Sequence, residues 1–559
     1  MSGGFLNERR LLSGPWQTLE RDVARLLLMN SFEDVRIVGG TGDKGGDVLA
    51  VRGRDLWVVQ CKFTSNSPPP VDAVGEVVRA AEFYSATKMM IATSRPATES
   101  FHAERQRYER AGLKIEVADP RKLLAWMSQT PEYCKSRRQL REYQEDASSK
   151  LRNALVDTGR GQIVLATGLG KTIVMAEVVA DLLRDNLIPD RRVLVLAHTR
   201  ELVTQLHLAF WHQLPKWVAT HQLADGEFPS FWEGITFATI QSVRSKLSSI
   251  PSFGLVLVDE AHHIGADTFR ESIESLKPTM LGGVTATPWR GDGFDIDQLL
   301  GPPLVRIGIA DGLKQGFLSE VDYRLFGDNL DWNFVQEASK HHYSLAQLNR
   351  HLIIPTRDEE AARIISEAFG REKRRGGIVY SPTINHARMF SAMLRQYGLR
   401  AEPISSEDAP RQRAVLMARF RAGELDIMST VDLFNEGVDV PDVDLIVFMR
   451  VTHSRRIFVQ QLGRGLRISP TKDKVVVLDF VSDLRRVAEV VDLDKSVRSG
   501  DVERLGLGGR LIQFTNMSAG SFLKEWMLDQ ASLVLREDDP KLEMPQIEFP
   551  PPLPPGGVQ

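Results

Sequence analysis

LATGLGKTIVMAE, from Leu165 to Glu177, is the stretch on which the reading of this chain turns. The apolar run QIVLA (Gln162 to Ala166) leads into it and reads as a strand, and the apolar residues of TIVMAEVVADLLRD recur at helical spacing behind it. Strand, glycine turn and helix together make an anion cradle. Backbone N–H groups can converge on one phosphate, glycines allow the close approach, and the helix N-terminus adds partial positive charge. Thr167, Gly168 and Gly170 line the turn, Lys171 can reach outer phosphates, and the Thr172 hydroxyl can ligate Mg²⁺. The strict pattern G-x-x-x-x-G-K-[ST] asks for glycine where this chain has Leu165, so a glycine-rich turn capping an ordinary helix stays open on these residues alone.

A second apolar run, FGLVLVDEAHH, ends in Asp259 and Glu260. Two carboxylates at the C-terminal end of a buried strand stand where parallel sheets bind ligands. Asp259 can hold Mg²⁺ through water and Glu260 can orient an attacking water, as phosphoryl transfer requires. With these residues in view the chain resembles the superfamily 2 helicases and translocases: DEAH (Asp259 to His262) is similar to motif II, TATP (Thr285 to Pro288) to motif III, and QQLGRGLR (Gln460 to Arg467) to motif VI. STVDLFNEGVD (Ser429 to Asp439) resembles motif V. The resemblance implies ATP as cofactor, Asp439 in ribose binding or inter-domain coupling, and Arg464 and Arg467 as arginine fingers on the γ-phosphate. It also implies two RecA-like parallel-sheet domains with the nucleotide cleft between them. The segment LREYQ resembles the region upstream of motif I, which makes Gln144 a candidate adenine reader and Arg141 or Tyr143 a candidate stacking residue. RVLVLAHTRELVTQ looks like motif Ia and FATIQSV like the next DNA-contacting motif; Thr199, Arg200, Thr239 and Ser242 suit phosphates, and each hydroxyl equally suits a helix cap.

The first 128 residues hold an independent constellation. WQTLERDVARLLLMNSF reads as an amphipathic helix with Glu20 beside its apolar face; VRIVGGTGDKGGDVLAV follows as strand, glycine turn and strand, and LWVVQCKF returns. Side chains alternate along a strand, so Gln60 and Lys62 share a face, and a hairpin would bring Asp47 near them. Oxygen donors from Glu20, Asp47 and Gln60 suit a hard cation, Mg²⁺ or Mn²⁺, that activates water on a phosphodiester while Lys62 steadies developing charge. The pattern resembles the PD-(D/E)xK nucleases, specifically the Mrr-like type IV restriction endonuclease domain, with Gly46-Asp47 and Gln60-Cys61-Lys62 at the matching positions.

Composition bounds the rest. A formal charge of −3 argues against a uniformly basic nucleic-acid binder, so a polyanion site has to be a local groove. Cys61 and Cys134 are too few for a zinc set. The start MSGGFLNERRLL lacks a signal-peptide apolar core and no apolar run is long enough for a membrane span, so a cytoplasmic protein without membrane partners is expected. The tail PKLEMPQIEFPPPLPPGGVQ is proline-rich and reads as disordered or as a protein-binding peptide.

The expected fold class is α/β, in six parts: residues 1–130 an Mrr-like nuclease domain, 131–305 the first RecA-like domain, 306–355 a connector, 356–484 the second RecA-like domain, 485–538 a small helical C-terminal region, and 539–559 the tail. The expected function is an ATP-dependent DNA helicase or translocase fused to a metal-dependent DNA endonuclease, acting in restriction or anti-phage defence. Two alternatives stand beside it: a DNA-repair helicase with an idle, DNA-binding nuclease-like domain, and an ATP-gated sensor or scaffold. The sequence leaves oligomeric state, polarity and trigger open.

Overall fold

The computed structural model describes residues 4–38, 45–224, 226–261, 267–286, 296–325, 358–371, 374, 376–431, 443–450, 465, 472, 474–480 and 512–515. The chain divides into two compact units, Met1–Leu165 with Gly170–Arg306, and Ala166–Leu169 with Ile307–Gln559.

The first unit opens with helices α1 (Glu8–Ser13) and α2 (Trp16–Met29) and a five-stranded sheet whose strands neighbour in chain order: β1 (Glu33–Ile37), β2 (Val48–Arg52), β3 (Asp55–Lys62), β4 (Lys88–Thr93) and β5 (Ile115–Ala118). The expected hairpin forms: β2 and β3 run antiparallel with Val48 opposite Val59, and Asp47 N donates to Val59 O at 2.9 Å. From β3 to β5 the pairing is parallel, and the crossovers carry α3 (Ala73–Tyr84) and α4 (Glu99–Arg110). Alternation along β3 divides the sheet's faces. Val59 and Cys61 pack with Leu19, Val23 and Leu27 of α2 and with α5 (Pro120–Gln129), whereas Val58 packs with Val74 and Val77 of α3.

A second sheet of seven strands belongs to the same unit: β6 (Arg160–Leu165), β7 (Arg192–Ala197), β8 (Thr220–Leu223), β9 (Gly234–Thr239), β10 (Leu255–Asp259), β11 (Met280–Thr285) and β12 (Pro303–Ile307), in the order β12-β6-β11-β10-β7-β9-β8. Its described pairings are parallel, as between β10 and β11 and between β11 and β6. Helices α6 (Glu142–Asp157), α7 (Lys171–Arg184), α8 (Arg200–Trp211), α9 (Ile240–Arg244), α10 (Asp267–Leu276) and α11 (Asp297–Leu300) connect its strands. Strands covered on both faces read as unbroken apolar runs, which is why LVLVD is buried throughout. Parallel strands also bring the C-terminal ends of β6 and β10, on either side of β11, to one edge.

The nuclease-like part is fastened to this second sheet through α2, every residue of which from Thr18 to Met29 is buried, charged ones included. Arg25 donates to Val218 O at 2.7 Å and Pro215 O at 3.1 Å, Arg10 pairs with Asp22 and donates to Thr220 O at 2.6 Å, and Arg21 pairs with Glu227. The charges are desolvated: burial lowers Arg25 to about 9 and raises both Asp22 and Glu227, against the pull of their arginine partners. Trp211 enters the α2 core. The polar stretch from Thr130 to Arg138 is bound down as well, with Lys216 Nζ on Thr130 O at 2.6 Å, Lys216 N on Glu132 O at 2.7 Å, Arg137 on Glu177 at 2.8 Å and Arg138 N on Gln213 Oε1 at 2.9 Å.

The second unit is built on another parallel sheet, ordered β15-β16-β14-β17-β18-β13-β19. Its strands are β13 (Glu320–Leu325), β14 (Gly377–Tyr380), β15 (Ala401–Pro403), β16 (Ile427–Thr430), β17 (Leu445–Phe448), β18 (Lys474–Asp479) and β19 (Ile512–Thr515), with helices α12 (Ile309–Lys314), α13 (Asp358–Arg371), α14 (Ile384–Gln396) and α15 (Pro410–Arg421). Two stretches differ from expectation. Residues 306–355, read as a connector, supply β13, and residues 485–538, read as helical, supply β19, which pairs with β13. Among the described residues no helix is long and apolar enough to cross a membrane.

Candidate active sites

At the edge where β6 and β10 end, Gly168 and Gly170 take left-handed backbone with φ of 94° and 83°, and Lys171 opens α7. A Cβ at Gly170 would stand 2.4 Å from Gln144 Nε2, so only glycine fits against that amide. Lys171 Nζ lies 2.8 Å from Glu260 Oε1. The other Glu260 oxygen faces Thr285 Oγ1 and Ala286 N, each at 3.5 Å, so the first residues of TATP touch the glutamate of DEAH. Glu260 itself sits at φ 49°, a conformation non-glycine residues adopt at a cost and often at functional sites. Burial first, then the Glu260 charge, push the Asp259 carboxyl up to about 6, with Lys171 opposing. Its Oδ1 is buried with no hydrogen-bond partner among the described residues. A divalent cation beside a phosphate would satisfy that oxygen, so the donor set fits Mg²⁺ bound with a nucleotide.

Gln144 is buried, and its Oε1 accepts from Arg141 N at 3.0 Å, which caps α6; Nε2 reaches Tyr143 Oη at 3.3 Å. The amide thus closes the first turn of its own helix while bordering the phosphate loop. Thr199 and Thr239 also cap helices, accepting from Leu202 N at 3.2 Å and Ser242 N at 3.1 Å. Asp439, Arg464 and Arg467 lie outside the described residues, as do His262, Pro288 and the whole of 539–559.

In the five-stranded sheet, Asp47 and Gln60 are buried and bonded to each other: Asp47 Oδ2 accepts from Gln60 Nε2 at 2.8 Å and from Cys61 N at 2.5 Å. Lys62 Nζ is 2.5 Å from Glu76 Oε2 of α3. Glu20 reaches the sheet from its other side, the Cys61 face; burial first, then the Asp47 and Glu20 charges, hold the Cys61 thiol well above its ordinary pKa. Hydrogen bonds and ion pairs therefore join Asp47 to Gln60 and Lys62 to Glu76, and the Glu20 and Asp47 charges both act on the Cys61 thiol. Gln60 Oε1 is buried without a hydrogen-bond partner among the described residues. Among them no three His, Cys, Asp or Glu residues gather as a metal site, and the donors fit a cation only if the Gln60 amide oxygen takes part. Glu76 gave no signal in the sequence, since a helical glutamate beyond a proline-rich loop looks like a solvated face.

The restriction endonuclease family profile matches residues 11–127, that of the type III restriction enzyme res subunit matches 137–290, and that of the helicase conserved C-terminal domain matches 360–469. The chain joins a restriction endonuclease domain to a superfamily 2 helicase motor. The chain is 24% identical over 387 residues to IRC3 of Saccharomyces cerevisiae, provisionally named an ATP-dependent helicase, a match covering 66% of this chain and 55% of that protein. It is 25% identical over 456 residues to the type I restriction enzyme EcoKI endonuclease subunit of Escherichia coli K12, covering 70% of this chain and 38% of the subunit. The fold matches that of the ATP-dependent type ISP restriction-modification enzyme LlaBIII bound to DNA with a TM-score of 0.53 at 18% identity, over 92% of this chain and 41% of that one.

Proposed function

We propose that the chain is an ATP-driven DNA helicase or translocase that cuts DNA through its N-terminal domain, in the cytoplasm, in restriction of foreign or phage DNA. The observation that carries the motor reading is the meeting of Lys171, Glu260, Asp259 and Thr285 at one sheet edge. In this reading Lys171 and Thr172 hold the nucleotide's phosphates and its Mg²⁺, Asp259 holds the ion's waters, and Glu260, released from Lys171 when phosphate takes the ammonium, orients the attacking water. Gln144 and Asp439 bind the nucleoside, and Arg464 and Arg467 stabilise the transferring phosphoryl group, worth on the order of 10³ to 10⁵ in rate. The proposed parts are residues 1–130 for cutting, 131–305 and 356–484 for the motor, with 306–355 joining them and 485–559 outside the catalytic work. Helix N-termini capped by Thr199 and Thr239 suit strand phosphates. At the second site Asp47 and Gln60, with Glu20 on the far side, hold Mg²⁺ or Mn²⁺, which supplies an activated water; Lys62 steadies charge on the scissile phosphate.

The test is plasmid cleavage on modified and unmodified duplexes with and without ATP, beside phosphate release. Wild type should cut and hydrolyse. Lys171→Ala should lose DNA-stimulated hydrolysis by at least about 10²-fold, the scale of losing one preorganised charge contact. Asp47→Ala and Lys62→Ala should hydrolyse normally and not cut; cutting equal to wild type would remove the nuclease assignment. A repair motor with an idle front domain is the second reading, favoured by the ion pair that engages Lys62 with Glu76.

A further inference from the structure

Gln60 stands where a third carboxylate would serve a cation better, since an amide oxygen brings no charge. The fold supplies a carboxylate on the same face of the sheet. Gln60 and Lys62 share the β3 face that packs against α3, and Glu76 projects from the first turn of α3 to within 2.5 Å of Lys62 Nζ. A Cβ built on Gly45 would lie 2.7 Å from Glu76 Cβ and 3.2 Å from Gln60 Oε1, so both residues crowd against Gly45, and its lack of a side chain, at φ 90°, is what lets them come so near each other. The orientation of the Gln60 amide is fixed by chemistry: its nitrogen must face the Asp47 carboxylate, which can only accept, and its oxygen is the amide atom left out of that bond. That oxygen has no hydrogen-bond partner among the described residues, and Gln60 is only 4% exposed.

We propose that Glu76 is a ligand of the nuclease cation, completing an oxygen set with Asp47 and Gln60 Oε1, and that cation binding exchanges the Lys62 ammonium off Glu76 so that Lys62 is free to meet the scissile phosphate. The proposal rests on the nuclease reading and names the residue that reading lacks. A divalent ion at Glu76 replaces a single ammonium with two positive charges and gives the orphaned amide oxygen a partner. The exchange moves no electrons and breaks no covalent bond: one cation leaves a carboxylate and another takes its place. An ammonium held by Glu76 is unavailable to phosphate, so the lysine is armed only when the site is loaded.

The experiment is Mn²⁺ binding to the full-length, nucleotide-free chain followed by electron paramagnetic resonance, beside Mn²⁺-dependent plasmid cleavage and DNA-stimulated ATP hydrolysis. For Glu76→Gln we expect Mn²⁺ affinity at least 10-fold weaker, as for Asp47→Asn, with ATP hydrolysis within twofold of wild type and cleavage recovered in part at high Mn²⁺; Glu76→Asp should fall between. Glu76→Gln that binds Mn²⁺ as wild type does overturns the proposal, whether or not it cuts, because a residue that merely positions Lys62 would leave cation affinity intact. Parallel loss of ATP hydrolysis and folding in both Glu76 variants also overturns it, assigning Glu76 to the fold. A wild-type chain that binds no Mn²⁺ and cuts no better than Lys62→Ala brings down the nuclease reading itself, an outcome distinct from the first.

Discussion

Asp259 states its task through its ionisation. Its carboxyl is raised from 3.8 to about 6 by burial and by Glu260, on the order of 3 kcal/mol of folding free energy withheld from the ionised form. An acid whose folded pKa is raised contributes stability that is complete below 3.8 and is lost as pH climbs through about 6. Asp259→Asn should therefore melt a few degrees above wild type at pH 7.5, with the gap narrowing toward pH 4, measured by calorimetry without nucleotide; a gap independent of pH would contradict the assignment. If Asp259 holds the cation's waters as proposed, the variant should also lose hydrolysis. At this scale the sequence was legible where chemistry is local. Lys171, Thr172, Asp259 and Glu260 stand in contiguous patterns, and Asp47, Gln60 and Lys62 follow from one hairpin. Glu76 and Glu227 were not legible, because each acquires its role from a partner on a distant segment.

Elements announced themselves according to how they are buried. The strands of the parallel sheets are covered on both faces and read as plain apolar runs, so β6 and β10 stood out, and α7 showed its helical spacing directly after the glycine turn. Helix α2 read as amphipathic, and its charged side is dry, because the segments around Val218 and Glu227 cover it. An amphipathic pattern shows that two faces differ, not that one meets water. The start of α7 depends on Gly170. Gly170→Ala would force a left-handed residue with a side chain into the space of the Gln144 amide, which also caps α6. Loss of the cap alone costs about 1 kcal/mol. The expected result is nucleotide affinity at least about 10-fold lower, the equivalent of about 1.4 kcal/mol, by fluorescent-nucleotide titration, while plasmid cleavage without ATP is retained. Unchanged affinity would show that the loop does not need glycine there.

At the scale of the molecule, the polar stretch at the boundary expected between residues 130 and 131 is not a slack tether. Backbone and side chains from Thr130 to Arg138 are held to α7 and to the segment following α8. Native trypsin should consequently spare Lys135, Arg137 and Arg138 and leave the cutting domain and the first motor sheet on one fragment, read by mass spectrometry; early release of an N-terminal piece of about 135 residues would refute this, since bound backbone resists proteolysis. The division was invisible beforehand because composition marks polar stretches but not what they lean on. Helix α2 carries the matter further. Arg21 and Arg25, with Arg10 of α1, have partners in the motor sheet or beside it, namely Glu227, the Val218 and Pro215 carbonyls and the Thr220 carbonyl, and leaving such buried charges without partners is strongly unfavourable. Grafting the front domain onto a foreign ATPase would leave three guanidinium groups facing the wrong wall. Under the proposed function this seam, not a slack linker, would set how much duplex lies between the motor's grip and the cut, so that spacing would be written into the fold.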